Sequence, residues 1–418
     1  MIGQAAGPID EGAAPFPRSL REGRQTVWLR PAISRSSEVR EIVSSAEVEA
    51  AVQRFRRFEP VLAGLFGEQE WDGRVRSALI PLSADRHWVK GDHALPMTGS
   101  IKARGGVHEV LRLVEERARA QGLLGGDDYR CLLDAGSRSA MAGRKVVVAS
   151  TGNLGYSVGL VARAFGLRAE IHMSRDAKLW KKEALRAVGA TVVEHDCDYT
   201  STVARARAAA ATDDAHFIDD ERSRDLMTGY AAAGVELEEQ LLGAGLEIGP
   251  ARPLVVYLPC GVGGAPGGIT LGLKRRFGDS VITVFVEPVA SACVMAAMIQ
   301  GGCEPVDVAS YGGNNDTIAD GLAVGRASDL MLSACGNLVD AVVAVTDQDM
   351  IMAMRDAWLT YGLRFEPSAA ASMAAHSPLM ASAARSHGWP DLAHAHHLFW
   401  ATGGSRLPAD EFSALLAR

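Results

Sequence analysis

Lys145-Val146-Val147-Val148-Ala149-Ser150-Thr151-Gly152-Asn153-Leu154-Gly155 is the stretch that decides how this chain folds. Its valine run suits a short strand buried on both faces. Two hydroxyl residues, a glycine and an asparagine then break the run, and apolar spacing turns helical from Leu154 to Phe165. The alternation continues. Arg168–Met173 reads as a strand, Asp176–Val188 as a helix and Thr191–Glu194 as a strand. Further strands are expected at Leu254–Leu258, Val281–Val286, Ala341–Val345 and His397–Trp400. Short β-branched runs separated by helices imply parallel sheets with helices on both faces. The expected class is α/β, and 418 residues suffice for two doubly wound parallel-sheet domains. In such folds ligands gather beyond the carboxyl ends of the strands.

Before this region, Val48, Val52, Phe55 and Phe58 recur at helical spacing within residues 44–67. The Pro/Gly-rich start reads as a loose arm, with residues 1–40 set apart from the folded body. Apolar residues make up 48% and charged residues 22%, a globular balance. The net charge of −7 excludes a general nucleic-acid binder, and the basic clusters Arg54–Arg57 and Lys274–Arg276 read as solvated helix faces. Six scattered cysteines without a CxxC pair argue against a disulfide framework and against zinc, so no metal-ligand set is expected. Met1–Ala14 lacks the pattern of a secretory signal, and no apolar stretch is long enough for a bilayer. A cytoplasmic protein is expected, with neither a membrane nor a nucleic acid as partner.

Four motifs carry chemistry. In Met97-Thr98-Gly99-Ser100-Ile101-Lys102-Ala103-Arg104-Gly105-Gly106, Gly99 and Ser100 read as a turn and a helix N-cap. Lys102 then falls in a first helical turn, where the positive end of the dipole disfavours an ammonium group. Such a field lowers a lysine's pKa and favours a nucleophilic amine; a plain surface lysine is the alternative. Ser150–Gly155 sets hydroxyls, an amide and N–H groups at a helix N-terminus, a nest for a carboxylate, with Asn153 free to reach a ring oxygen. A simple N-cap and tight turn is the alternative there. Gly261-Val262-Gly263-Gly264-Ala265-Pro266-Gly267-Gly268 lets backbone N–H groups close around an anion. It has no Lys-Ser/Thr as a Walker loop would, and Pro266 occupies the third glycine position of a dinucleotide fingerprint. A flexible turn remains the alternative. In Trp400-Ala401-Thr402-Gly403-Gly404-Ser405, a hydroxyl follows a strand and is placed to bond a heterocyclic nitrogen. Together these supply an aldehyde-reactive amine, a phosphate cup, a neutral ring-nitrogen partner and a carboxylate nest. Pyridoxal phosphate needs the first three, and an amino-acid substrate needs the fourth.

These motifs resemble the fold-type II pyridoxal-phosphate enzymes and, within them, the bacterial D-serine dehydratase (D-serine ammonia-lyase) family. The likeness rests on Thr98–Gly106, Phe217-Ile218-Asp219-Asp220-Glu221, Tyr257–Gly264, Asp320-Gly321-Leu322-Ala323-Val324-Gly325-Arg326-Ala327-Ser328, Glu366-Pro367-Ser368-Ala369 and Trp400–Gly404. It runs from about residue 87 to the C-terminus. Ala265 and Ser405 depart from it, standing where the family has glycine.

The resemblance implies a large cofactor domain of residues 41–91 and 212–418, interrupted by a small substrate domain of residues 92–211. It implies that Lys102 holds pyridoxal 5'-phosphate covalently and later serves as base. Gly261, Gly263, Gly264 and Gly267 would donate to the phosphate, Asn153 to the phenolic oxygen, and Thr402 would face the pyridine nitrogen. A hydroxyl there does not hold that nitrogen protonated, which favours prompt β-elimination over transamination. Thr151 is a second catalytic proton carrier. Ser100, Ser150, Thr151, Gly152 and Asp220 form the substrate set, with Asp220 on the hydroxyl. Glu287 is read either as a cofactor or monovalent-cation contact or as a structural carboxylate. The implied reaction converts D-serine to pyruvate and ammonia, with D-threonine as second substrate and a monomer as one expectation for the assembly. The residues alone leave chirality open between this reading and an L-serine or L-threonine dehydratase or a racemase. A non-catalytic phosphate-ligand binder is the rival from another class, and a retained Lys102 argues against it.

Overall fold

A computed structural model describes residues 15–67, 70–82, 86–150, 152–197, 199–213 and 215–418. Among these residues eleven strands form two sheets. They are β1 (Thr26–Leu29), β2 (Leu79–Pro81), β3 (His87–Lys90), β4 (Lys145–Ala149), β5 (Arg168–Ser174), β6 (Thr191–His195), β7 (His216–Ile218), β8 (Leu254–Pro259), β9 (Val281–Pro288), β10 (Ala341–Val345) and β11 (His396–Trp400).

The larger sheet has the order β1-β10-β9-β8-β11-β3-β2. Its inner strands β10, β9, β8, β11 and β3 run parallel, and β1 and β2 flank them antiparallel. The smaller sheet, β6-β5-β4-β7, is parallel throughout. Every residue of β4, β8, β9, β10 and β11 is buried, which is why their sequences are mostly apolar and do not alternate. The α/β class with two parallel-rich sheets is thus the architecture observed. Among the described residues no helix is long and apolar enough to cross a membrane, and all six cysteines are free thiols.

Some expectations need correction. Residues 1–40 do not form one loose arm, because Thr26–Leu29 pairs with Ala341–Ala344 as an edge strand of the large sheet. The small sheet does not close by residue 211, since β7 pairs with β4 at 216–218. The basic clusters are not simply solvated. Arg54 and Arg57 turn inward to Glu115 at 2.8 Å each, and fully buried Lys274 meets Asp340 at 3.2 Å. In each case a carboxylate remote in sequence offsets the cost of burying the cation. The helix expected within 44–67 spans Ser45–Phe66, opened by a capping box between Ser44 and Glu47.

Candidate active site

A single cleft collects the carboxyl ends of strands from both sheets, where parallel-sheet topology leaves a crevice. The small sheet contributes Ser150, Gly152 and Asn153 after β4 and Asp220 after β7. The large sheet contributes Gly261–Pro266 after β8, Thr402 after β11 and Lys102 from the chain beyond β3. Of the residues singled out from sequence, Ser100 and Gly267 do not border this cleft. Thr151 lies outside the described residues.

Lys102 immediately precedes a π-helical turn, Ala103–Val107, that runs on as the α-helix His108–Ala120. Ser100 is not its N-cap. Gly99, at φ +63, turns the chain into a short antiparallel bridge between Ser100 and Gly403, and Ile101 N–H donates to the Thr402 carbonyl at 2.8 Å. The helix therefore begins two residues later than expected, and the buried Ser100 hydroxyl has no partner among the described residues. Below this turn Arg104 clamps Asp92 in bidentate fashion at 2.7 and 2.8 Å and donates to Glu236 at 2.6 Å. Trp400 Nε1 donates to Asp92 at 2.8 Å, and buried Lys90 pairs with Glu236. This network ties β3, β11 and the Lys102 turn together.

The Lys102 amine stands 3.3 and 3.4 Å from the two Asp220 carboxylate oxygens and 5.8 Å from the Tyr230 ring centroid. Burial alone would lower its pKa, but Asp220 and Tyr230 outweigh burial and raise it above the ordinary lysine value. This reverses the sequence expectation of a lowered pKa, which weighed the helix end and could not see Asp220.

Around β4 the nest is narrower than the sequence suggested. Ser150 Oγ accepts from the N–H groups of Gly152 at 3.1 Å and Gly155 at 3.0 Å, so that hydroxyl is a local cap. Among the described residues the N–H groups of Asn153 and Leu154, at the start of the helix Asn153–Ala164, have no acceptor. Asn153 Nδ2 donates to Glu366 Oε1 at 3.0 Å. Nothing local in the sequence assigns Glu366 a role in the cleft. Burial first, and then Asp320, pushes its carboxyl up to about 7. Lys181, also on the cleft wall, pairs with Asp320.

The glycine loop makes the strongest cup. No acceptor among the described residues takes the N–H groups of Gly261, Val262, Gly263, Gly264 or Ala265, and the helix Gly264–Phe277 adds its positive end. Gly263 sits at φ +102, and a Cβ there would come within 2.7 Å of Met331 Cε. Gly267 is different. Its N–H donates to the Gly263 carbonyl at 2.8 Å within the helix, so it packs the helix and is not a cup donor. Glu287 also lies elsewhere. It accepts from Val294 N–H at 2.8 Å and Met295 N–H at 2.9 Å, capping the helix Cys293–Ile299 as a structural carboxylate. Donor N–H groups without acceptors, facing a lysine and a buried threonine across one cleft, fit a phosphorylated aldehyde cofactor.

Residues 76–390 match the model of the pyridoxal-phosphate dependent enzyme family. The chain belongs to that family. Its relatives include a probable D-serine dehydratase of Chromobacterium violaceum, 42% identical over 96% of this chain and 95% of that protein. Another, from Rhizobium leguminosarum bv. trifolii, is 41% identical over 97% of each. Among solved structures, diaminopropionate ammonia lyase from Escherichia coli superposes with a TM-score of 0.74 at 18% identity, covering 94% of this chain and 97% of that one. A threonine deaminase from Solanum lycopersicum reaches 0.65 at 19% identity, over 99% of both chains. At such identities these likenesses establish the fold. This pyridoxal-phosphate dependent enzyme groups by sequence with the D-serine dehydratases over nearly its whole length.

Proposed function

We propose that the enzyme eliminates water from D-serine to give pyruvate and ammonia, and converts D-threonine to 2-oxobutanoate in the same way. One observation carries the reading. The Lys102 amine faces the Asp220 carboxylate inside a cleft that also holds the glycine cup and the helix end at Asn153. The names of relatives at 41–42% identity support D-serine in particular.

Gly261, Gly263 and Gly264 with their neighbours would hold the cofactor phosphate by N–H donation, Asn153 its phenolic oxygen and Thr402 its ring nitrogen. Bound through Lys102, pyridoxal phosphate supplies the electron withdrawal that acidifies the substrate Cα–H and labilises the β-hydroxyl. The chain does the rest. The N–H groups of Asn153 and Leu154 receive the substrate carboxylate at a helix end, where charge is favoured. The Lys102 amine, in its neutral form, would take the Cα proton as general base. Thr151 is the second carrier for that proton. Asp220 would hold the β-hydroxyl, which departs as water with the proton that Lys102 has taken from Cα. Hydrolysis of the remaining enamine releases ammonia and pyruvate, so one D-serine gives one of each.

The test is a visible spectrum and a pyruvate assay on purified protein given D- and L-serine separately. Coloured protein that makes pyruvate from D-serine alone supports the reading. A protein that takes up no cofactor sinks it, and activity confined to L-serine moves the chain to the L-specific dehydratases.

A further inference from the structure

At the end of the large sheet opposite the cleft, three histidines converge. His87 begins β3, His397 lies near the start of β11, and the two are register partners whose side chains share one face of the sheet. His376 opens the helix His376–Ala383 that covers that face. One ring nitrogen from each lies within 4.8 Å of the others. His87 Nε2 and His376 Nε2 are 3.2 Å apart. The His397 ring stacks on His87 at 5.0 Å and meets His376 edge-on at 4.7 Å.

We propose that His87, His376 and His397 form a binding site for a divalent transition metal of the zinc class, separate from the catalytic cleft. Two nitrogens bound at 2.0–2.1 Å to one tetrahedral ion sit about 3.3 Å apart, close to the 3.2 Å between His87 and His376. The third ring has at most about 1.5 Å to close. His397 Nδ1 is already 3.0 Å from the buried Tyr257 hydroxyl. With Nε2 as the ligand, that contact is the outer hydrogen-bond partner that metal-bound imidazoles usually have. Three imidazoles without a thiolate select zinc and its neighbours over calcium or magnesium. Because the ligands come from two adjacent strands and the helix across them, the ion would pin that helix to the sheet. Reading cysteine spacing alone missed the site, because its ligands are brought together only by strand pairing.

The test uses cofactor-loaded protein stripped with a chelator and then dialysed against zinc chloride, with bound metal measured per chain. Cobalt(II) difference spectra serve as the geometric readout. The wild type and His387→Ala, which alters an exposed histidine, are expected to bind about one ion more than His376→Ala. Both His376→Ala and His397→Gln should lose more than about 100-fold in affinity and lack the intense tetrahedral cobalt bands. Retained circular dichroism and cofactor absorbance in either variant exclude misfolding as the cause, and His87→Gln on the short strand β3 is the reserve variant. No zinc bound to wild type beyond the His376→Ala level, or equal affinity in wild type and both variants, overturns the proposal.

Discussion

Replacing Asp220 by asparagine keeps the side-chain shape and removes the carboxylate that lies 3.3 Å from the Lys102 amine. At that separation two unit charges attract by about 5 kcal/mol at an effective dielectric of 20, and by about 1 kcal/mol in water. The side chains of Lys102 and Asp220 keep 22% and 14% of their exposure, which places the interaction in the lower part of that range, at about 1–3 kcal/mol. That corresponds to about 1–2 units of lysine pKa. Asp220 raises the value, so Asp220→Asn lowers it. Well below the pKa, the neutral amine fraction grows tenfold for each unit of decrease, and only the neutral amine attacks an aldehyde. Cofactor-free Asp220→Asn should therefore capture pyridoxal phosphate about 10–100 times faster at pH 8, with the midpoint of its rate–pH curve shifted down to match. Stopped-flow absorbance between pH 7 and 11 measures both. Turnover of D-serine should fall at the same time, because the group proposed to hold the departing hydroxyl is gone. Faster loading with slower turnover is not what a damaged fold produces. Identical capture rates and midpoints in variant and wild type would refute the electrostatic argument.

Other outcomes follow from the same geometry. Lys102→Ala should take up no covalently held cofactor and lose at least about 100-fold in turnover; near-normal pyruvate production would remove the lysine from the mechanism. For Glu366, burial raises the folded pKa from 4.5 to about 7, so between those values the folded protein holds a proton that the unfolded chain has lost. Stability of the cofactor-free protein should then decline as pH rises from about 5 to 7, by about 3 kcal/mol for this group. Urea unfolding of Glu366→Gln should lack that part of the decline while still accepting from Asn153. Asp92→Ala strips Arg104 of its bidentate partner at the base of the Lys102 turn. It should cost about 3–5 kcal/mol in urea unfolding, and a loss under 1 kcal/mol would show the network to be dispensable.

Strands β4, β8, β9 and β10 were legible because both of their faces are buried and their sequences are correspondingly rich in apolar, β-branched residues. His87-Trp88-Val89-Lys90 carried no such signal. Lys90 is buried only because Glu236 and Ser77 meet it, and those contacts belong to tertiary structure. The three residues of β7 are too few for any period to show, and β1 joins the sheet through pairing with a strand more than 300 positions later. In the cleft, residues that directly follow a strand were readable from local sequence, as at Ser150, Gly152, Asn153, Gly261–Gly264 and Thr402. Glu366 was not. An acid before proline reads as an ordinary helix entry, and what marks it is the Asn153 amide from a segment 213 residues away.

The same distinction explains why Lys102 is legible in the sequence while the sign of its electrostatics is not. The end of a helix changes the energy of a nearby charge by about 0.3–1 kcal/mol. A carboxylate at 3.3 Å acts on it by about 1–3 kcal/mol, so Asp220 decides the sign. The helix supplies position and the carboxylate supplies charge. Without cofactor the amine is held as an ammonium ion and its pair with Asp220 is complete. If Lys102 held the cofactor as proposed, its nitrogen would no longer be a free ammonium and Asp220 would lose that partner in a partly buried cleft. An unpaired carboxylate there costs energy unless something hydrogen-bonds to it, and a substrate bearing a β-hydroxyl supplies a donor where the ammonium had been. On this argument the contact that makes Lys102 a poor nucleophile in the free chain is what makes the loaded cleft selective for hydroxylated amino acids. Alanine, which lacks the hydroxyl, should bind the loaded enzyme more weakly than serine of the same hand, and that difference should shrink in Asp220→Asn.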